Sequence, residues 1–133
     1  MFLSTNGRSY KLDIRPSKWP RKEPGESKSK FQQRVGEAVD KTFPTEVILE
    51  EFFIPGERLY IDFFLPRKSI AIEAHGGQHY EYNQFFHGTK ENFKRSKERD
   101  ARKKLWCEIN QIKLVIIDTR DKEEEVINKL LSD

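Results

Sequence analysis

Asp62 and Glu73 are each the one acid in an apolar run, Tyr60-Ile61-Asp62-Phe63-Phe64-Leu65 and Ile70-Ala71-Ile72-Glu73-Ala74, on either side of Pro66-Arg67-Lys68-Ser69. A hairpin centred between Arg67 and Lys68 sets Asp62 directly opposite Glu73. Directly opposed residues in an antiparallel pair have Cβ atoms about 4.5–5.5 Å apart. Two carboxylates that close in a half-buried sheet raise each other's pKa unless a cation sits between them. Oxygen ligands that leave positions for water suit Mg²⁺. The competing reading is a solvated face that happens to carry acids. Phe63, Phe64, Ile70, Ala71 and Ile72 argue against it, because they read as central strands.

Three more residues have proton chemistry to offer. His75 and His79 flank Gly76-Gly77-Gln78 at the exit of the second run. Imidazole titrates near neutrality, so His79 is a candidate general acid or base, against the commoner structural role of a histidine at a strand exit. His75, two residues after Glu73, could hydrogen-bond backbone in the glycine turn. Asp100 either orients the His79 ring by accepting its other N–H or pairs with Lys104 one turn along a solvated helix.

The elements that must position these groups follow from periodicity. Residues 1–28, with Pro16, Pro20, Pro24 and Gly25 among cations, read as a basic extended arm. Residues 29–133 read as one domain. Ser29 caps a helix to about Thr42, with Phe31, Val35, Ala38, Val39 and Phe43 as its apolar stripe. Strands are expected at 46–54, 59–65 and 69–74. A helix is expected from about Thr89 to Asn110, with Phe93, Ala101, Leu105 and Ile109 facing inward and Asp100 at the edge of that stripe. The continuous apolar run Ile112–Ile117 reads as a strand covered on both faces. A last helix spans about 122–131. The order is helix, three strands, helix, strand, helix, which makes an α/β protein with a mixed central sheet flanked by helices.

At 133 residues there is room for one core. Net charge is only +3, yet cations cluster. Arg8 to Lys30 and Lys90 to Lys104 each hold eight against three acids. A cation-rich side on a nearly neutral protein fits a phosphate backbone, although charge runs are usually solvated helix faces. The candidates for such contacts are Arg21, Lys22, Lys94, Arg95, Arg99, Arg102 and Lys103. Cys107 is the single cysteine, which excludes a disulfide framework and points to a reducing compartment, the cytoplasm. No apolar run approaches the ~20 residues of a membrane span, and the N-terminus has no secretory pattern.

Asp62, ten residues, then Glu73 resembles the pattern of the PD-(D/E)XK nuclease superfamily. Ile72-Glu73-Ala74-His75-Gly76-Gly77-Gln78-His79-Tyr80 is similar to the signature of a subgroup related to very-short-patch repair endonucleases, which includes phage homing endonucleases with an EDxHD motif. Phe85-Phe86-His87-Gly88 and the stretch from Arg99-Asp100 to Ile116 are similar to the same subgroup, in which an acid on a long helix completes the site. Two positions depart from the superfamily: Ile61 stands where proline is usual, and His75 where a lysine usually orients the water or stabilises charge, a role the resemblance offers His75 beside the structural one.

The resemblance implies a restriction-endonuclease-like αβββαβ core. It implies Asp62 as central metal ligand and Glu73 as second ligand or orienter of water, with the Ala74 carbonyl contributing. Gln32 falls where many relatives carry a helix glutamate; it can hydrogen-bond a water but cannot take its proton. Aromatics 80–86 either cover the core or wedge between bases. The implied function is a Mg²⁺-dependent (alternatively Mn²⁺-dependent) endonuclease on duplex DNA, of phage homing or mobility type, working in the host-cell cytoplasm if phage-encoded. The alternatives are a structure- or mismatch-directed repair nuclease, and a DNA-binding module without catalysis. One such core presents one site, so a double-strand cut calls for a homodimer or two successive nicks.

Overall fold

α1 (Lys30–Thr42) starts where polar chemistry sets its first turn. Ser29 is extended, and its hydroxyl accepts the Gln32 N–H at 3.0 Å, which satisfies one of the donors a helix start leaves unpaired. The computed structural model describes residues 2–23, 25–27, 29–54, 56–75 and 90–132. Within them are also strands β1 (Phe2–Leu3), β2 (Ser9–Tyr10), β3 (Leu49–Ile54), β4 (Leu59–Leu65) and β5 (Ile70–His75), helix α2 (Lys90–Ile109), strand β6 (Lys113–Asp118) and helix α3 (Glu123–Leu131). From Lys30 onward the order is the one read from the sequence. Gly76, Gly77, His79 and the aromatic stretch 80–88 lie outside the described residues.

The main sheet has the order β3-β4-β5-β6, with β3, β4 and β5 antiparallel and β6 parallel to β5. In the β4–β5 hairpin Phe63 pairs with Ile72, Phe64 with Ala71 and Leu65 with Ile70. Continuing that register by one step sets Asp62 opposite Glu73, as a hairpin centred between Arg67 and Lys68 requires.

Alternate residues of these strands enter two cores. Phe63, Ile72, Val115 and Ile117 pack with Val35 and Val39 of α1 and Val126 and Leu130 of α3. Phe64, Ala71, Phe52 and Ile61 pack with Trp106 and Cys107 of α2. The result is a helix–sheet–helix sandwich. The alternation changes phase at Asp62, since Leu59 and Ile61 join the second core whereas Phe63 and Leu65 join the first. Glu51, across from Asp62 in the β3–β4 register, has φ 50°, a left-handed conformation unusual within a strand. The pleat therefore shifts at the acid.

α2 ends in a Schellman closure. The Ile112 N–H donates to the Cys107 carbonyl at 2.8 Å and the Gln111 N–H to the Glu108 carbonyl at 3.2 Å. Gln111 takes the left-handed position (φ 57°) where glycine is usual. The chain thus turns directly into β6.

Three expectations need correction. The described residues of the 1–28 stretch are not simply an extended arm. β1 pairs with β2, and Phe2, Tyr10, Leu12 and Trp19 pack on the second core. Phe2 stacks on Trp106 at 5.8 Å, the Trp106 Nε1–H donates to the Tyr10 hydroxyl at 2.6 Å, and the Asn110 amide holds both backbone groups of Leu3. These apolar residues are scattered among prolines and cations with no period, so composition hid their role. The inward face of α2 is also rotated from the expected stripe. Trp106 and Cys107 are buried, whereas Ala101 and Leu105 are exposed. Finally, β6 is not fully covered on both faces. Val115 and Ile117 are buried on one face, and on the other Leu114 packs on the second core but Ile116 is 39% exposed.

Candidate functional site

Beyond Phe63 and Ile72, side chains take over the bonding between β4 and β5. The Asp62 N–H donates to Glu73 Oε2 at 2.8 Å. The Ala74 N–H donates to Asp62 Oδ2 at 2.8 Å. Each acid is thereby held by the backbone of the opposite strand, and both are buried. Such a pair needs a cation nearby. Among the described residues, the cation on Glu73 is Lys103 of α2, whose ammonium donates to Glu73 Oε1. Its side chain is only 17% exposed and that of Glu73 3%.

A cleft of about 270 Å³ opens on the Glu73 side of this pair, and Asp62 is not part of its lining. Glu73, His75, Asp100 and Lys103 line it together. β5 supplies Glu73 and His75, two residues apart and so on one face of the sheet. α2 supplies Asp100 and Lys103, three apart and so on one face of the helix. Lys97 and Lys104 add further cations to the lining, and Leu114 and Ile116 of β6 form an apolar wall. The sequence placed Asp100 at a stripe edge; the structure gives it and Lys103 a place on the inward face. That face covers a polar cleft in its first turns and apolar core only from Trp106 onward, so hydrophobic periodicity could not find it. Lys103 was read as one more cation of a basic run, and nothing in its spacing marked it for the site.

The other candidate DNA contacts divide by environment. Lys94, Arg95, Arg99 and Arg102 are exposed on α2, and Arg95, Arg99 and Arg102 recur at helical spacing along one outer stripe. Arg21 is instead built into the protein. It pairs with Asp40 at 2.8 Å, with buried Glu50, and lies 5.1 Å from the Phe63 ring centroid. Burial opposes its charge, but Asp40 and Glu50 raise its pKa overall. Gly36 makes room for it, since a Cβ there would lie 2.6 Å from Arg21 Nη2 and 3.0 Å from Phe63. Lys22 gives its N–H to Glu50 at 2.8 Å and its ammonium lies 3.6 Å from Glu51.

Gln32 does not reach the Asp62–Glu73 pair. It is buried and donates its side-chain N–H to Glu50 Oε2 at 3.0 Å. Glu50 also accepts from Ser27 Oγ at 3.2 Å. This carboxylate thus gathers the 21–32 segment onto β3. It holds the chain's approach to α1 and takes no part in the cleft.

The electrostatics around Glu73 extend into the core. Burial pushes the Cys107 thiol up to about 12, the Glu73 charge adds to the rise, and Lys103 opposes it. Among the described residues no three His, Cys, Asp or Glu side chains gather as a metal cage. Mg²⁺ makes a smaller demand, since it commonly takes one or two carboxylates and keeps several waters. Asp62 and Glu73 fit that donor set.

Comparison with known proteins gives distant viral relatives. The chain is 39% identical over 62 residues to "Uncharacterized protein 033L" of Invertebrate iridescent virus 3, covering 47% of the chain and 32% of that protein. It is 32% identical over 74 residues to "Uncharacterized protein 307L" of Invertebrate iridescent virus 6, covering 54% and 38%. It is 35% identical over 71 residues to "Uncharacterized protein 094L" of Frog virus 3 (isolate Goorha), covering 53% and 46%. The chain thus spans less than half the length of these relatives. No family model matches it. No solved structure matches it. Among the described residues no helix is long and apolar enough to cross a membrane.

Proposed function

We propose that the chain is a Mg²⁺-dependent endonuclease hydrolysing phosphodiester bonds in duplex DNA, built on a nuclease core of the PD-(D/E)XK kind. One observation carries the reading: two buried acids are locked into opposed strands by backbone bonds, and one of them, Glu73, lines a cleft together with a histidine, a third acid and a lysine.

Phosphodiester hydrolysis needs an activated water, charge stabilisation at phosphorus and a protonated leaving group. The chemistry a bound Mg²⁺ supplies is polarisation of the phosphoryl group and easier ionisation of water. Asp62 and Glu73 would hold it. His75 lines the cleft, where an imidazole would be available to exchange a proton, and His79 keeps its candidacy as general acid or base outside the described residues. Asp100 offers a carboxylate to orient an imidazole. Lys103 brings positive charge against a developing negative phosphate. The outer α2 cations Lys94, Arg95, Arg99 and Arg102 face solvent, where they would grip the DNA backbone.

In its specific form the reading is a small homing or mobility endonuclease active in the cytoplasm, with a homodimer as the route to a double-strand cut. A second reading, a DNA-binding module without hydrolysis, draws on the Lys103 ammonium already neutralising Glu73. Supercoiled plasmid separates the two. Nicking or linearisation that requires Mg²⁺ or Mn²⁺ and stops with EDTA is expected of the enzyme. DNA retardation with no cleavage at any divalent-ion concentration would sink the enzyme reading and favour the module.

A further inference from the structure

We propose that Lys103 is a built-in counter-ion for the carboxylate pair, and that a divalent cation entering the site must displace its ammonium from Glu73. The inference rests on the metal-dependent reading above and adds a regulatory element within the chain itself.

Glu73 is almost fully buried beside a second buried acid, and leaving it uncompensated would be costly. Lys103 supplies the compensating charge through a direct contact. The contact is made by a residue suited to letting go. A lysine ammonium is a compact charge on a flexible four-carbon stem, with none of the fixed two-pronged geometry by which arginine locks a carboxylate. Its stem rises from α2, across the cleft from β5, so the ammonium can withdraw without moving either strand. A second acid is within the same cleft: Asp100 lies one turn earlier on the same helix face and lines it too. In the absence of a divalent cation Lys103 holds Glu73. With the cation present, Lys103 turns toward Asp100 or toward an incoming phosphate. The opposed acids, left to themselves, would repel. Lys103 therefore both stabilises the empty site and lowers its affinity for metal.

The test is calorimetric titration of Mn²⁺ into wild type, Lys103→Met and Lys103→Arg, without DNA, alongside urea unfolding of the same proteins. Lys103→Met should be less stable when metal-free and should bind Mn²⁺ about tenfold or more tightly than wild type, because the competing charge is gone. Lys103→Arg should bind no more tightly than wild type. If Lys103→Met does not fold, Lys103→Gln keeps a donor for Glu73 without its charge and is held to the same criterion. A folded neutral variant that binds Mn²⁺ no more tightly than a Mn²⁺-binding wild type overturns the counter-ion role and leaves the nuclease reading standing. No Mn²⁺ binding by wild type or variant overturns both.

Discussion

Asp62 and Glu73 hold each other in place through the main chain. The Asp62 N–H donates to the Glu73 carboxylate at 2.8 Å, and the N–H next to Glu73, that of Ala74, donates to the Asp62 carboxylate at 2.8 Å. Each acid fixes the strand that carries the other. Removing the charge of one while keeping an acceptor oxygen therefore separates chemistry from folding.

Asp62→Asn should fold, because its amide oxygen still accepts the Ala74 N–H. It should lose cleavage by about 10²-fold or more, as when a preorganised charge-stabilising group is removed, while DNA affinity stays within about twofold, since affinity comes from the basic surface. Cleavage kinetics with a filter-binding titration on the same preparation check both halves. Cleavage within about tenfold of wild type would remove Asp62 from the site.

The outer cations of α2 should govern salt dependence. Each phosphate contact contributes about 0.9 to the slope of log K against log salt. Replacing Arg95, Arg99 and Arg102 with Gln should flatten that slope by up to about 2.7. Arg21→Gln should leave the slope alone and lower stability, because Arg21 is spent on Asp40 and Glu50. A flattened slope in Arg21→Gln would return that residue to the DNA surface.

Glu50 should matter to stability and not to cleavage. Its side chain is fully buried and serves Arg21, the Lys22 N–H, Ser27 and Gln32. Glu50→Ala leaves these donors without their acceptor and should cost about 3 kcal/mol, the low end for breaking a buried ion pair. Urea unfolding reads this directly.

The N-terminal hairpin should behave as part of the core. Tyr10→Phe removes the acceptor of the buried Trp106 N–H and should cost about 1 kcal/mol. Phe2→Ala should cost about 3 kcal/mol through lost packing on Trp106 and Phe64. Deleting residues 2–12 should lower the melting temperature more than either. A deletion variant as stable as wild type would restore the reading of an extended arm.

Cys107 should make the fold sensitive to alkali. Its thiol is raised from 9.0 to about 12 in the folded protein, so folding favours the protonated form. The corresponding stability is fully present below about pH 9. It is lost as pH rises toward 12. Cys107→Ala should flatten the decline of stability across that window. Iodoacetamide at pH 8.5 should label Cys107 only when the protein is unfolded.

Local chemistry alone carried the element order, the β4–β5 register and the pairing of Asp62 with Glu73. Two short apolar runs around a four-residue turn leave few ways to pair, and slipping by one residue would move every side chain to the wrong face. The Ser29 cap was legible for the same reason, being a contact between near neighbours. What only the tertiary structure decided depends on distance along the chain. Lys103 reaches Glu73 across thirty residues, Glu50 collects a segment that begins nearly thirty residues before it, and Trp106 receives Phe2 and Tyr10 from the far end of the chain. No periodicity marks such partners. The inward turns of α2 are polar because they roof a cleft, and the N-terminal apolar residues lie among prolines because they cover a surface irregularly. Hydrophobic patterning reports burial in regular elements, so it went silent where this protein combines burial with charge.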